Sequence, residues 1–197
     1  MMPTEDTLFE LASSQSGYFT AAQARACGCS WALLSHHAAS GRFVRARRGL
    51  YRFRNYPSAP HEEVAAAWLA AGPAAVVSHE SALDLLGLAG TIPSAIHLTV
   101  PRASRSLLVQ PGVRIHTATR PPGADEVVTR SGMRVTAAVR TIIDVAAGGL
   151  DPDQVARAAR QAIDRGLATP DQLLLAARQR GGRAWRQMSG GVPGGAA

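Results

Sequence analysis

Ser78, His79 and Glu80 stand side by side, and they are the residue types of a nucleophile, a base and an acid. Neighbours on a helix do not face one another, so three consecutive positions form no relay without strain. Glu80 and Asp84 share a helix face and read as a solvated acidic patch, while Arg140 and Asp144 read as a surface or interhelical ion pair. The segment His79-Glu80-Ser81-Ala82-Leu83 lacks the second histidine of a zinc-protease helix. A G-x-S-x-G elbow and a dinucleotide loop after a strand are absent too. Cys27, Cys29, His36 and His37 are four possible metal ligands within eleven residues. Neither the C-x₂₋₄-C nor the H-x₃₋₅-H spacing of structural zinc is met, and adjacent histidines point about 100° apart on a helix. The cysteines therefore read as buried thiols, and the chain is expected to be no enzyme and to need no metal or cofactor.

The 197 residues contain 21 basic side chains, all of them arginine. Without lysine there is no phosphate-binding loop of the G-x-x-x-x-G-K-[ST] kind, no Schiff base, no Ser-x-x-Lys acyl transfer, no kinase chemistry and no nuclease of the Asp…Glu-x-Lys type. Arginine cannot substitute, because it stays protonated. Against 14 acids the formal charge is +7, which points to a polyanionic partner. The charge is local: residues 1–60 hold seven arginines and three acids, and residues 42–54 hold six arginines and no acid. Hydrophobic residues at 46% suffice for a packed core, and aromatics at 5% predict one built of Ala, Val and Leu rather than rings.

The elements that would carry this charge are legible from caps and periodicity. Thr4 can cap a helix with Glu5 and Asp6 in its first turn and Leu8, Phe9, Leu11 and Ala12 at helical spacing, stopped by Ser16 and Gly17. Thr20 and Gln23 form a capping-box pattern opening a second helix through Ala26. Cys27, Gly28 and Cys29 make a tight turn, and Ser30 caps a third helix over 31–40, closed by Gly41. Two short helices about a glycine turn are a helix-turn-helix. Residues 43–53 then read as a hairpin turning at Gly49. A helix-turn-helix followed by a basic hairpin is a winged helix. Its third helix would present Trp31, Ser35 and His36 to base edges, and Arg42, Arg45, Arg47, Arg48, Arg52 and Arg54 would meet phosphates. The same pattern also fits Trp31 as a core anchor, a merely solvated His36 and a solvated arginine run.

Phe19, Thr20, Gln23, Ala24 and Arg25, then Ser30, Leu34, Gly41-Arg42-Phe43 and Arg47-Arg48-Gly49-Leu50-Tyr51, resemble the winged-helix domain of AbiEi-type antitoxins. Ser78 to Leu83, Ile96 to Pro101, Val135-Thr136 and Arg140 to Asp144 resemble the same proteins' C-terminal half, so the likeness spans about residues 5–180. It implies a repressor that binds double-stranded operator DNA at inverted repeats, with two copies there, and regulates its own operon. It also implies a C-terminal domain that counteracts a nucleotidyltransferase-like toxin. The third helix departs from the family in carrying no arginine. An alternative is thus a protein-interaction module, an antitoxin half or the remnant of a nuclease-associated protein, whose winged helix no longer binds operator.

The expected fold class is α+β, with a winged helix over 1–55, a Pro-rich linker over 56–60, a mixed α+β domain over 61–182 and a flexible tail over 183–197. Within the second domain helices are expected at 61–71, 78–86, 137–147, 151–165 and 169–180. Strands are expected at 74–77, 96–100, 113–117 and, as a hairpin about Ser131-Gly132, at 127–129 and 133–135. Thr136, Ser78, Asp151 with Gln154, and Thr169 with Gln172 are the expected caps. The N-terminus resembles no signal peptide, no apolar run spans a membrane, and two cysteines fit a reducing cytoplasm.

Overall fold

The computed structural model describes residues 5–90, 92–103, 111–118 and 120–190, so Thr4 and the end of the expected tail lie outside the described residues. The chain is a mixture of helices and strands in two units, one of Met1–Ala75 with Ser131–Met133, the other of Val76–Arg130 and Arg134–Ala197.

In the first unit, helix α1 (Glu5–Ser13) leads to strand β1 (Tyr18–Thr20), helices α2 (Ala21–Ala26) and α3 (Trp31–Ala39), strands β2 (Phe43–Arg47) and β3 (Leu50–Phe53), and helix α4 (Glu62–Ala71). The antiparallel sheet runs β1-β3-β2. Each strand gives one phenylalanine to the core: Phe19, Phe43 and Phe53 meet with ring centroids 4.9–5.3 Å apart. All four phenylalanines of the chain fall in this unit. Its core is therefore aromatic, contrary to the whole-chain composition.

The expected linker does not separate the units. The hydroxyl of Tyr56 donates to the Ser13 carbonyl at 3.0 Å, and its ring fills the space above Gly17, whose φ of +81° and lack of Cβ are both required. Helix α4 belongs to the first unit. Its Ala66 and Leu69 pack with Leu50, Tyr18 and Trp68, and the Trp68 indole donates to the Ala75 carbonyl at 2.9 Å.

The second unit holds strands β4 (Val76–Val77), β5 (Ile96–Pro101), β6 (Val113–Ala118), β7 (Val127–Arg130) and β8 (Met133–Thr136) in the order β6-β5-β4-β8-β7. The sheet is mixed: β4 is antiparallel to β5 and parallel to β8, and β5 is parallel to β6. Helices α5 (His79–Leu85), α6 (Ala138–Gly148), α7 (Pro152–Asp164), α8 (Pro170–Arg180) and α9 (Gly182–Ser189) complete it. Its core is aliphatic and rich in alanine, with Leu83, Ile142, Val155 and Leu173 buried among Ala158, Ala159 and Ala177.

Several local expectations change. Thr169 and Gln172 form the full capping box, but Asp151 caps α7 alone, accepting from the amides of Asp153 and Gln154. Ser78 stands at the N-cap of α5 but its side chain makes no capping hydrogen bond, and Thr136 does not cap α6. The Thr136 hydroxyl turns inward to Thr141 at 2.7 Å, leaving Ala137 as the residue before α6. Arg140 and Asp144 pair within α6 at 2.8 Å, and Asp144 is buried, so this is neither a surface nor an interhelical bridge. Burial opposes the charge on Arg140, but Asp144 and Glu126 outweigh it and raise the guanidinium pKa. Among the described residues no helix is long and apolar enough to cross a membrane.

The expected tail begins as α9, which buries Ala184 and Met188 against the helical core of the second unit. Met188→Ala should therefore cost about 2–5 kcal/mol in urea unfolding of the full chain. A loss below about 0.5 kcal/mol, as at an ordinary surface site, would show that α9 is not docked.

Candidate nucleic-acid interface

The start of α2 is fixed twice. Thr20 Oγ1 accepts from the Gln23 amide at 3.1 Å and Gln23 Oε1 accepts from the Thr20 amide at 2.8 Å. The Gln23 side-chain amide then donates to Gln15 Oε1 at 2.9 Å, which ties α2 to the chain leaving α1. The turn to α3 is held by the Gly28 amide on the Arg25 carbonyl and the Cys29 amide on the Ala24 carbonyl. Ser30 caps α3 by accepting from the Leu33 amide at 3.1 Å.

Helix α3 buries one residue, Leu34. The His37 ring lies 4.9 Å from Phe43 and braces the helix on the sheet. Its outward side presents Trp31 at 60% exposure and Leu33 at 43%, with Ser35 and His36 also exposed. Trp31 is not the core anchor that the sequence also allowed. Arg25, from the last turn of α2, places its guanidinium carbon 5.8 Å from the Trp31 ring centroid. Sequence reading passed over Arg25. Its position two residues before the turn, with Trp31 just beyond, was the available signal.

Cys27 and Cys29 are buried in the core of this unit and not joined in a disulfide, whereas His36 is exposed, so the four potential ligands are not gathered.

The hairpin is the expected wing, with one irregularity. Phe43 pairs with Phe53, Val44 with Arg52 and Arg45 with Tyr51, after which the register shifts so that Arg47 faces Leu50. Ala46 is the extra residue of a bulge, and Val44 through Arg47 are all exposed. The Gly49 carbonyl at the turn accepts from the Ala21 amide at 2.8 Å, which binds the wing to the first residue of α2. One helical turn further on is Arg25. Thus Arg45, Arg47 and Arg48 on β2 and its turn, with Arg42 just before β2, are exposed basic side chains.

The remaining two arginines do other work. Arg52 donates to Glu62 Oε2 at 3.0 Å and to the Pro57 carbonyl at 3.1 Å, and its guanidinium lies over the rings of Tyr18 and Tyr56. It is a half-buried clamp holding α4 on the sheet. Arg54 is exposed, but its Nε donates to the Gly41 carbonyl and closes the turn between α3 and β2.

Residues 6–54 match the family described as "Transcriptional regulator, AbiEi antitoxin". The matched segment runs from α1 to the end of β3. The crystal structure of the RV2827C protein from Mycobacterium tuberculosis has a similar fold, with a TM-score of 0.56 at 14% identity over 96% of this chain and 75% of that one. No curated protein matches the chain.

Arg52→Ala should lower unfolding stability by about 1–3 kcal/mol through the lost charged hydrogen bonds, whereas Arg45→Ala should stay within about 0.5 kcal/mol. Urea unfolding of both variants checks this, and equal stabilities would refute the clamp.

Proposed function

We propose, from an AbiEi antitoxin regulator domain at residues 6–54, that the chain is a sequence-specific repressor of its own operon and the antitoxin of a nucleotidyltransferase-like toxin. One observation carries the DNA-binding part: the exposed face of α3 and the arginine-bearing wing are joined through α2, by the Gly49–Ala21 hydrogen bond at one end and the Arg25–Trp31 contact at the other. A helix entering the major groove would then bring the wing onto the flanking backbone.

In this reading Ser35 and His36 offer hydrogen bonds to base edges, and Trp31 and Leu33 offer apolar contact with thymine methyl groups. Arg42, Arg45, Arg47 and Arg48, joined by Arg25, neutralise phosphates and set affinity without setting sequence. Two copies on an inverted repeat would lie about 34–36 Å apart, one helical turn of DNA. The second unit is the part assigned to the toxin.

A specific observation favours a second reading. Helix α3 has no arginine and exposes two large apolar side chains, which also suits a protein partner and a winged helix without operator affinity.

Mobility shifts on DNA from upstream of the operon decide between them. The first reading expects binding tighter than to random DNA, with a log–log salt slope of about −0.9 per neutralised phosphate. Arg45→Ala and Arg48→Ala should weaken all sequences alike and each flatten the slope by about 1, while Ser35→Ala or His36→Ala should change sequence preference. Equal affinity for random DNA would sink it. Protection of cells from a neighbouring nucleotidyltransferase by a chain carrying both wing substitutions would show that antitoxin action does not need DNA.

A further inference from the structure

The second unit draws together three histidines that no motif in the sequence connects. His79 opens α5, His97 lies on β5 and His116 on β6. In the parallel pair, His97 faces Arg114 and Thr99 faces His116, so the two histidines stand diagonally on one side of the sheet. The first turn of α5 is fastened above them. The Ser78 amide donates to the His97 carbonyl at 3.0 Å, and Ser81 Oγ accepts from the His97 amide at 2.9 Å. The His79 ring then stacks on His116, centroids 3.5 Å apart and 13° from parallel. His79 adopts φ +52°, a left-handed conformation that costs a non-glycine residue about 1–3 kcal/mol.

One ring nitrogen from each histidine lies within 4.8 Å of the other two. His116 Nε2 is 3.1 Å from His97 Nδ1, and Glu80 Oε2 is 2.7 Å from that same nitrogen. His97 Nδ1 can carry at most one hydrogen, yet two groups approach it. Glu80 Oε2 is buried, and despite the short contact no hydrogen-bond donor is aligned on it. Glu80 thus faces the imidazoles and not, with Asp84, the solvent. Three lone-pair atoms converge with too few hydrogens between them.

We infer that His79, His97 and His116, with Glu80 beside His97, form a binding site for a borderline divalent cation, Zn²⁺ in the first instance. The donor set selects this class: Ca²⁺ and Mg²⁺ take oxygen ligands, soft ions take thiolates, and imidazole suits Zn²⁺ and its first-row neighbours. Burial, then the neighbouring imidazoles, push the pKa of His79 to about 3 and of His116 to about 4, so both are neutral and able to coordinate near pH 7. Ser78 Oγ lies 3.0 Å from His79 Nδ1 and accepts from Thr99 Oγ1 at 2.7 Å, supplying the outer hydrogen bonds that orient a ligand ring. The three imidazoles would hold the ion between α5, β5 and β6, with the Glu80 carboxylate 2.7 Å from His97 Nδ1. Such an ion would pin the edge strand β6 to β5 and α5, and its binding would raise stability by mass action. The inference is independent of the DNA-binding reading.

The test uses the untagged full chain, stripped with a chelator and titrated with Zn²⁺ by equilibrium dialysis and metal analysis. One Zn²⁺ per chain and a raised melting temperature are expected. Co²⁺ should give the visible bands of a tetrahedral nitrogen–oxygen site without thiolate charge transfer, which separates it from Cys27 and Cys29. His116→Gln, at a partly exposed position on an edge strand, should weaken Zn²⁺ binding at least about 10-fold while keeping the circular dichroism spectrum. Glu80→Gln, on α5, should weaken it in the same direction and serves if the first variant does not fold. No Zn²⁺ bound by the stripped chain at micromolar free ion overturns the inference. Affinity unchanged in a folded His116→Gln or Glu80→Gln chain does so as well, leaving the 2.7 Å His97–Glu80 contact as the account of the cluster.

Discussion

The contact on which the N-terminal unit depends is the meeting of Phe19, Phe43 and Phe53. Each ring comes from a different strand, and the three centroids are 4.9–5.3 Å apart. Aromatic pairs of this geometry add about 0.5–1.5 kcal/mol each beyond the area they bury. That increment matters, because a two-stranded hairpin is marginal alone in water and α3 contributes only Leu34 to the interior. The exposed face of α3 is positioned by what lies behind it: Leu34 in the core, His37 against Phe43 and the Ser30 cap. Loosening the phenylalanines would therefore displace the outward residues without touching any of them.

The six arginines of residues 42–54 show how one side-chain type serves two purposes. Arg45, Arg47 and Arg48 on β2 and its turn, and Arg42 just before β2, have exposed side chains, while Arg52 and Arg54 hold the unit together. A planar guanidinium lets Arg52 bond Glu62 and Pro57 while covering two tyrosine rings, a combination that a lysine ammonium cannot reproduce. Exclusive use of arginine is thus as much a matter of packing as of charge.

What could be read from the sequence was local. The Thr20–Gln23 box, the Ser30 cap, the turn at Gly49 and the Thr169–Gln172 box each depend on residues within a few positions, and each formed. What escaped depends on partners far along the chain. Nothing near Arg52 announced Glu62, and the apolar face of α4 suits either unit until Leu50 and Tyr18 are seen beneath it. Whole-chain aromatic content hid the fact that every phenylalanine lies in the first unit. His79, His97 and His116 come from three elements, so only the pairing of β5 with β6 and the seating of α5 reveal them as neighbours. Arg25 was legible in principle, across the interhelical turn from Trp31, but it stands alone, apart from the dense arginine run at 42–54.

The bulge at Ala46 reaches beyond the hairpin. Strand β2 is hydrogen-bonded on one side only, and an open strand is a template onto which another copy can polymerise. An extra residue halfway along spoils the ladder spacing, and the cations around it repel a like-charged neighbour. Sheet extension through this border is thereby discouraged, so molecules crowded together on one polyanion would stay separate along it and would have to touch through some other surface.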